Sequence, residues 1–305
     1  MVAVHLSGRR ARPMLGLLTW SVRAQFARAV ACSAPIAPAN LTLLTMGEAM
    51  LRLAPMETPA SQTGGESRHL PQPFLRSIGG DELNVAVAMS LLGVKARWIS
   101  VVPNGPMGDV LTDSCAHHGV EFAGQRVDGD VGFFTVLPEK KMVHYQRRNA
   151  VFAQHDPGSL DWPSLLSSPT AGAWVHLTGI TPLISAQARH SWENALAHAT
   201  ASHLRVSLDL NHRKQLGTLE ELWAAVRPHV GSLELLILSV EQLQGLAAIE
   251  LGEEGEAAGA PATGDGYGGD TVDDYASDTP YLELMRRLHR LWGCRRLALL
   301  SLIHI

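Results

Sequence analysis

The sequence predicts an α/β protein whose core is a parallel sheet covered by helices. Between residues 173 and 246, apolar strand-like runs alternate with helix-like segments, which is typical of a parallel sheet with helices on its faces. A first apolar run, at 41–47, ends in a glycine and has the composition of a buried strand. The length of 305 residues, at about 150 per domain, leaves room for one large α/β domain or two small ones.

Composition excludes several classes of function. Charged residues make up 18% of the chain and the net charge is -4, so the sequence offers no basic surface and nucleic acid is not an expected partner. The three cysteines, Cys32, Cys115 and Cys294, are far apart and contain no CxxC pair, which argues against a disulfide framework or a cysteine zinc site. The apolar runs are shorter than the ~20 residues that cross a bilayer, so no membrane partner is expected.

The first half of the chain leads from the buried strand to a hairpin. Two glycines at 79–80 precede a helix that Gly93 ends, and a strand over 96–102 follows. A turn at 105–108 leads into a second helix that ends near Gly119. Two strand-like runs between 132 and 146 flank the charged turn 138–141, which predicts a hairpin.

The second half carries the strand and helix alternation. Strands are predicted at 173–177, 205–210 and 233–238, and the helices that follow them at 185–202, 219–226 and 240–246. A further helix is predicted over 280–292, and residues 296–299 read as the start of a buried strand.

Both ends of the chain differ in composition from the middle. Residues 1–46 contain no acidic residue and five arginines, which favours a transit peptide over 1–40 and import into a plastid or mitochondrion; the alternative is a disordered leader on a cytoplasmic protein. Residues 300–305 are those that CTG-TCT-CTT-ATA-CAC-ATC encodes, a transposon-adapter sequence used in library preparation. We therefore expect a non-native tail there, with a genuine apolar strand as the alternative.

An acidic segment interrupts the alternation at 250–278. It contains nine carboxylates and no basic residue, so a solvated loop is predicted. The carboxylates are irregularly spaced, which argues against a calcium site.

Several short motifs together identify a family. The segments GGDELNVA at 79–86 and PNGPMGD at 103–109 resemble those of the PfkB (ribokinase-like) sugar kinases, and most closely the 2-keto-3-deoxygluconate kinase branch. The resemblance covers roughly residues 41–245. It is supported by motifs elsewhere in the chain: GE at 47–48, LRL at 51–53, YQRRNA at 145–150 and DLNHR at 209–213.

The resemblance implies a fold and an activity. The fold is a three-layer α/β/α sandwich over 41–300 with a small β-sheet lid built from residues near 51–53, 73–78 and 132–146. The activity is phosphoryl transfer from Mg-ATP to a hydroxyl of 2-keto-3-deoxygluconate or a related sugar, with ATP and Mg²⁺ as cofactors. Lids of this family often pair between subunits, which implies a possible homodimer.

The first substrate candidates are Gly80, Asp81 and Asn84. Consecutive glycines before a helix allow the backbone to approach a ligand, and an asparagine amide can donate to and accept from hydroxyls. The resemblance implies that these residues hold the sugar. It also implies that Arg213, at the carboxyl end of a predicted strand, reaches the substrate or phosphate side.

Tyr145 and Arg147 are the second pair of candidates. They are two residues apart on a predicted strand, so their side chains are expected to share one face. A guanidinium can pair with a carboxylate through two hydrogen bonds, which suits an acidic sugar. We therefore predict that Arg147 pairs with a substrate carboxylate.

The nucleotide side of the site is less complete. Where the family usually has Asn-x-x-Glu, to help place magnesium, this chain has Ser239 and Glu241 as the candidates for cofactor binding. The family's late Gly-Ala-Gly-Asp segment, which supplies an anion hole and the catalytic base, has no match, so no catalytic residue is assigned. We expect a C-terminally truncated, inactive fragment. Two alternatives are a non-catalytic fructokinase-like interaction protein of an organelle and a fructokinase.

Overall fold

The protein has one large parallel sheet and one small mixed sheet. The computed structural model describes residues 41–56, 73–137, 142–167, 172–252 and 279–300. The predicted leader over 1–40, the hairpin turn 138–141, most of the acidic segment and residues 301–305 lie outside these ranges. The strands are β1 (Thr42–Met46), β2 (Met50–Pro55), β3 (Phe74–Gly79), β4 (Lys95–Pro103), β5 (Val120–Val127), β6 (Phe133–Leu137), β7 (Met142–Gln146), β8 (Trp174–Thr178), β9 (Arg205–Asp209), β10 (Leu235–Ser239) and β11 (Leu297–Leu300).

Helices connect the strands of the large sheet and cover it. None of the helices in the described ranges is both long enough and apolar enough to span a membrane. The helices are α1 (Asp81–Leu91), α2 (Pro106–His117), α3 (Val151–Gln154), α4 (Trp162–Leu165), α5 (Ala186–Ala201), α6 (Leu219–Val226), α7 (Val240–Leu251) and α8 (Thr279–Trp292), with short 3-10 turns at Pro157–Ser159, Thr181–Leu183 and Arg227–Ser232.

The large sheet has the strand order β11-β10-β9-β8-β1-β4-β5, and every neighbouring pair in it is parallel. β1 can occupy a central position in this sheet because all five of its residues are buried, so none of its side chains has to face water. Neighbouring side chains of β4 pack into two separate apolar clusters: Ile99 belongs to one cluster and Trp98 to the other. The core therefore lies on both faces of the sheet. The predicted α/β class and helix-covered parallel sheet are confirmed.

The small sheet is the predicted lid. Its order is β3-β2-β6-β7, in which β3 and β7 are the outer strands and β2 and β6 form a parallel pair. The predicted hairpin is the antiparallel pair of β6 and β7. We use the word lid for β2, β3, β6 and β7 together.

Several elements differ from the sequence predictions. α7 continues to Leu251 instead of residue 246 and ends where Gly252 adopts a left-handed φ of 63°. β5 was not predicted; its exposed and half-buried residues alternate without a continuous apolar run. The strand predicted near 296–299 is present as β11, but it is half-buried to exposed instead of buried, because it pairs only with β10 among the described strands.

Candidate functional site

A cavity of about 880 Å³ lies between the lid and the carboxyl edge of the large sheet. Ligands of open parallel sheets bind at this edge. The start of α1 and the loop after β9 form one wall, and the lid strands form the other. All six of the predicted substrate residues line it: Gly80, Asp81, Asn84, Tyr145, Arg147 and Arg213.

Gly80 brings the start of α1 against the loop after β1. A Cβ at this position would lie 2.5 Å from the backbone oxygen of Glu48 and 3.0 Å from Cα of Ala49. Only a residue without a side chain fits between these two backbones. Asp81 and Asn84 therefore enter the cavity from a helix whose first turn is held in place by backbone packing.

Gly80→Ala is expected to lower the free energy of unfolding by about 1–3 kcal/mol, because the methyl group must displace backbone atoms. Urea denaturation followed by circular dichroism measures the change. Gly158→Ala is the matched control, since its Cβ would meet only the Asp156 carboxylate, at 3.4 Å. Equal losses in the two variants would contradict the close approach.

The turn after β9 binds the Asp81 carboxylate within the same wall of the cavity. Oδ1 of Asp209 accepts a hydrogen bond from the backbone N–H of Asn211 at 3.1 Å, which supports the left-handed φ of 41° at Asn211. Asp81 Oδ2 then accepts from Asn211 Nδ2 at 3.2 Å and from Arg213 Nη2 at 3.3 Å. Burial raises the pKa of Asp209, and the nearby Asp81 adds to the rise.

Arg147 makes an ion pair that the sequence analysis did not anticipate. It lies just past the end of β7, not on the strand, and its Nε donates to Oε2 of Glu48 at 2.6 Å while Nη2 contacts the same oxygen. The side chains of Arg147 and Glu48 are 11% and 2% exposed, so the ion pair has little contact with water. The guanidinium carbon also lies 6.0 Å from the centre of the Tyr145 ring, so the two side chains are close together although Arg147 is not on the strand.

Glu48 is held by the loop that follows β1. The backbone oxygen of Gly47 accepts from Nε1 of Trp98 at 3.1 Å and from Oγ of Ser100 at 2.8 Å, which fixes the loop against β4. Burial raises the pKa of Glu48, although the Coulombic attraction and hydrogen bond of Arg147 lower it. Oε1 of Glu48 is buried and has no hydrogen-bond partner among the described residues. Within those residues, Arg147 is therefore the only group that pairs with this carboxylate.

A second buried carboxyl, Glu82, ties α1 to the segment after β8. Its Oε1 accepts from Oγ1 of Thr178 at 2.6 Å and from Oγ1 of Thr181 at 3.1 Å. Burial raises the pKa of Glu82 to about 7, and the hydroxyl of Thr178 opposes that rise. Gly47 accommodates the carboxyl, because a Cβ there would lie 2.1 Å from Cδ of Glu82.

One cross-strand row of the lid lines the cavity. Ser77 on β3 lies opposite Arg52 on β2, Arg52 is in register with Phe134 on β6, and Phe134 lies opposite Tyr145 on β7. All four line the cavity, and the rings of Phe134 and Tyr145 are 5.5 Å apart. The lid therefore presents a hydroxyl, a guanidinium and two aromatic rings to a ligand.

Ser239 and Glu241 lie at the end of β10 and do not line this cavity. Oγ of Ser239 accepts from the backbone N–H of Gln242 at 3.3 Å and so caps α7. The same hydroxyl donates to Oε2 of Glu241 at 2.8 Å, and hydrogen bonds from the backbone and Ser239 lower the pKa of Glu241. Within the described ranges, no group of three or more His, Cys, Asp or Glu side chains could hold a metal ion.

Sequence reasoning did not assign Glu48, Glu82, Arg52 or Ser77 to the site. Glu82 follows Asp81 in the first turn of α1, where acidic residues are common, so it looked like an ordinary surface residue of a helix start. Arg52 and Ser77 carried a weak signal, since both belong to segments that were assigned to the lid. The alternation along β2 and β3 then indicates which side chains share a face.

Comparison with known proteins gives consistent matches. Residues 41–235 match the family described as pfkB family carbohydrate kinase. A 2-dehydro-3-deoxygalactonokinase of Haloferax volcanii is 28% identical over 228 residues, 73% of this chain and 68% of that protein. A 2-dehydro-3-deoxygluconokinase of Thermoproteus tenax is 26% identical over 187 residues, 59% of this chain and 53% of that protein.

A solved structure shares the fold. The crystal structure of a 2-dehydro-3-deoxygluconokinase from Thermotoga maritima has a TM-score of 0.64 and 24% sequence identity, and the alignment covers 85% of this chain and 72% of that one. The family match begins with β1 and extends to β10, so it includes both walls of the cavity. The motif resemblance is confirmed, and the chain belongs to the PfkB family of carbohydrate kinases.

Proposed function

We propose that the cavity binds a six-carbon 2-keto-3-deoxy sugar acid, and that the kinase domain over 41–300, joined to the family's Gly-Ala-Gly-Asp segment, would transfer the γ-phosphoryl group of Mg-ATP to one of its hydroxyls. The observation that carries the proposal is that residues from α1, the lid and the loop after β9 line one cavity, although they are far apart in sequence. The names of the two relatives, a 2-dehydro-3-deoxygalactonokinase and a 2-dehydro-3-deoxygluconokinase, favour a deoxy sugar acid as the substrate class.

The two walls of the cavity offer different groups to a ligand. Asp81 and the amide of Asn84 face the ligand from α1 and suit sugar hydroxyls, which both donate and accept hydrogen bonds. Gly80 allows the helix start to approach, and Tyr145 offers a ring and a phenolic hydroxyl from the lid. Arg147 and Arg213 supply positive charge on either side, each already paired with a carboxylate of the protein.

We include ATP and Mg²⁺ in the proposal because the family consists of kinases. The described residues suit a Mg²⁺ ion that arrives bound to the nucleotide. Mg²⁺ is usually held by one or two carboxylates together with substrate phosphates. Glu241 is one exposed carboxylate at the carboxyl edge of the sheet, with the Ser239 hydroxyl beside it. When bound, Mg-ATP would supply the phosphoryl group, and the chain's own residues would position the sugar hydroxyl that receives it.

Pairing of two lids remains a prediction. Among the described residues, several large apolar side chains of the lid are about half exposed, as expected of a surface that a second copy covers. These side chains are Phe74 and Met142, with Met56 just after β2.

Titration calorimetry with 2-dehydro-3-deoxygluconate on the 305-residue chain tests the binding part of the proposal. We expect one site per chain, and Asn84→Ala should weaken it about 3- to 10-fold, because the variant loses a net hydrogen-bond contribution of about 0.5–1.5 kcal/mol. Asn104→Ala is the matched control, since Asn104 lies outside the cavity and donates to Asp128. Folded protein that binds no sugar acid would contradict the proposal.

A further inference from the structure

We infer that Glu82 is a positioning residue for sugar binding, and that it holds the first turn of α1 in place as a neutral acid. This inference rests on the proposed function and names a regulation of that same site. Asp81 and Asn84, which face the ligand, lie on that turn. The affinity for the sugar acid is therefore expected to fall as the pH rises through neutrality.

Glu82 joins α1 to the segment after β8 through one carboxyl oxygen. The hydroxyls of Thr178 and Thr181 both donate to its Oε1, at 2.6 and 3.1 Å. Oγ1 of Thr178 in turn accepts from the backbone N–H of Ile180 at 3.2 Å. Because Ile180 and Glu82 both line the cavity, these hydrogen bonds fix two parts of the cavity wall relative to each other.

Glu82 has no cationic partner that would favour its charged form. It is 2% exposed, and none of the ion pairs among the described residues includes it. An unpaired buried carboxylate is costly, so the neutral acid suits this position better. Burial accordingly raises the pKa of Glu82 to about 7, although the hydrogen bonds from the two threonine hydroxyls lower it.

The titratable and charged groups on the elements around Glu82 do not offset this effect. They are Asp81 on α1, Glu48 in the loop after β1, His176 on β8, Asp209 and Arg213 at and after the end of β9, and Arg147 just past β7. Asp81 raises the pKa of Glu82 further by Coulombic repulsion. His176 is uncharged at neutral pH because burial lowers its pKa to about 4, and both arginines are paired with other carboxylates. β4 contributes the uncharged Trp98 and Ser100.

Loss of the proton from Glu82 changes the position of the helix start. A carboxylate without a counter-ion gains free energy from contact with water, and the cavity that Glu82 lines offers that contact. A shift of the carboxylate toward the cavity carries the first turn of α1 with it, and so displaces Asp81 and Asn84 from the sugar. By linkage, a sugar that prefers the neutral form raises the affinity of Glu82 for its proton by the same factor.

The experiment measures sugar binding as a function of pH. Calorimetric titrations of the 305-residue chain at pH 6 and pH 8 use 2-dehydro-3-deoxygluconate, whose carboxylate keeps its charge over this range, and its neutral methyl ester. Each titration is repeated in HEPES and in Tris, because buffers with different ionisation enthalpies reveal proton uptake. Glu82→Gln retains an acceptor for the threonine hydroxyls. The matched control is His118→Gln, since His118 lines the same cavity and histidine titrates in this pH range.

The wild type should bind both ligands about 10-fold more weakly at pH 8 than at pH 6, because each pH unit above the pKa of Glu82 lowers the neutral fraction about tenfold. At pH 8 it should also take up about one proton for each sugar bound. Glu82→Gln should bind equally well at both pH values and take up no proton, whereas His118→Gln should keep the wild-type pH dependence.

Wild-type binding that is independent of pH, or a Glu82→Gln variant with the wild-type pH dependence, would overturn the inference and leave the proposed function standing. The wild-type profile and proton uptake decide the matter even with an unstable glutamine variant. A pH dependence for the acid but not for the ester would mean that Glu82 repels the substrate charge, which also overturns a positioning role. If the folded wild type binds neither ligand at pH 6, the proposed function fails and the inference fails with it.

Discussion

Arg147→Ala is expected to lower the free energy of unfolding by about 3–5 kcal/mol at neutral pH. The variant leaves the Glu48 carboxylate buried without its partner, and removal of one member of a buried ion pair has an effect of this size. The loss should be larger at pH 8 than at pH 5, because burial raises the pKa of Glu48 and acid neutralises the carboxyl in the folded protein. Urea denaturation at the two pH values measures it.

The matched control for Arg147→Ala removes both charges. Glu48→Met/Arg147→Met replaces the pair with two unbranched apolar side chains, and such replacements are often neutral or stabilising. We expect the double variant to be more stable than Arg147→Ala by at least about 1 kcal/mol. A double variant as unstable as the single one would show that Arg147 stabilises the lid by packing, not by pairing with Glu48.

Glu82→Gln is expected to remove a large pH dependence of stability. The carboxyl of Glu82 has an ordinary pKa of 4.5, which burial raises to about 7 in the folded protein. Its stabilising contribution is complete below pH 4.5 and is lost as the pH rises through 7, since the folded state holds the proton more tightly than the unfolded state does. Between pH 5 and pH 8 the wild type should lose about 2.5 kcal/mol from this group.

The glutamine variant keeps an oxygen that can accept from the Thr178 and Thr181 hydroxyls but carries no titrating proton. Relative to the wild type, it should therefore gain stability as the pH rises from 5 to 8. Free energies of unfolding of both proteins at several pH values give the comparison. Parallel pH profiles would mean that Glu82 keeps the same charge in the folded and the unfolded chain.

Local sequence patterns were sufficient to predict the large elements. β1 is an unbroken apolar run, and the lid hairpin is two runs around a charged turn, so each reveals its structure within a few residues. The burial of β11, though not its presence, was misjudged because its apolar composition suits a strand covered on both sides, whereas its burial depends on how many strands lie next to it. The composition of a strand does not reveal how many neighbouring strands cover it.

The candidate site was predictable where backbone chemistry or family motifs mark it, as at Gly80 and Asn84. The acidic partners were not predictable, because their role arises from distant contacts: Glu48 meets a residue 99 positions later, and Glu82 meets hydroxyls 96 and 99 positions later. A glutamate beside a glycine or in a first helical turn is ordinarily solvated. Its pKa and pairing depend on which surface the fold places against it.

The strand order has a consequence for how this chain folds as it is synthesised. β1 is one of the first strands made, and its two neighbours in the sheet are β4 and β8. The edge of β1 that pairs with β8 stays unpaired until residue 178 has left the ribosome. The contact between Asp81 and Arg213, which is 132 residues further along the chain, can form only later still. Contacts this distant in sequence form slowly, and an apolar strand edge is prone to pair with other chains meanwhile. Chaperone capture of the nascent chain is therefore most needed while residues 104–178 are being made.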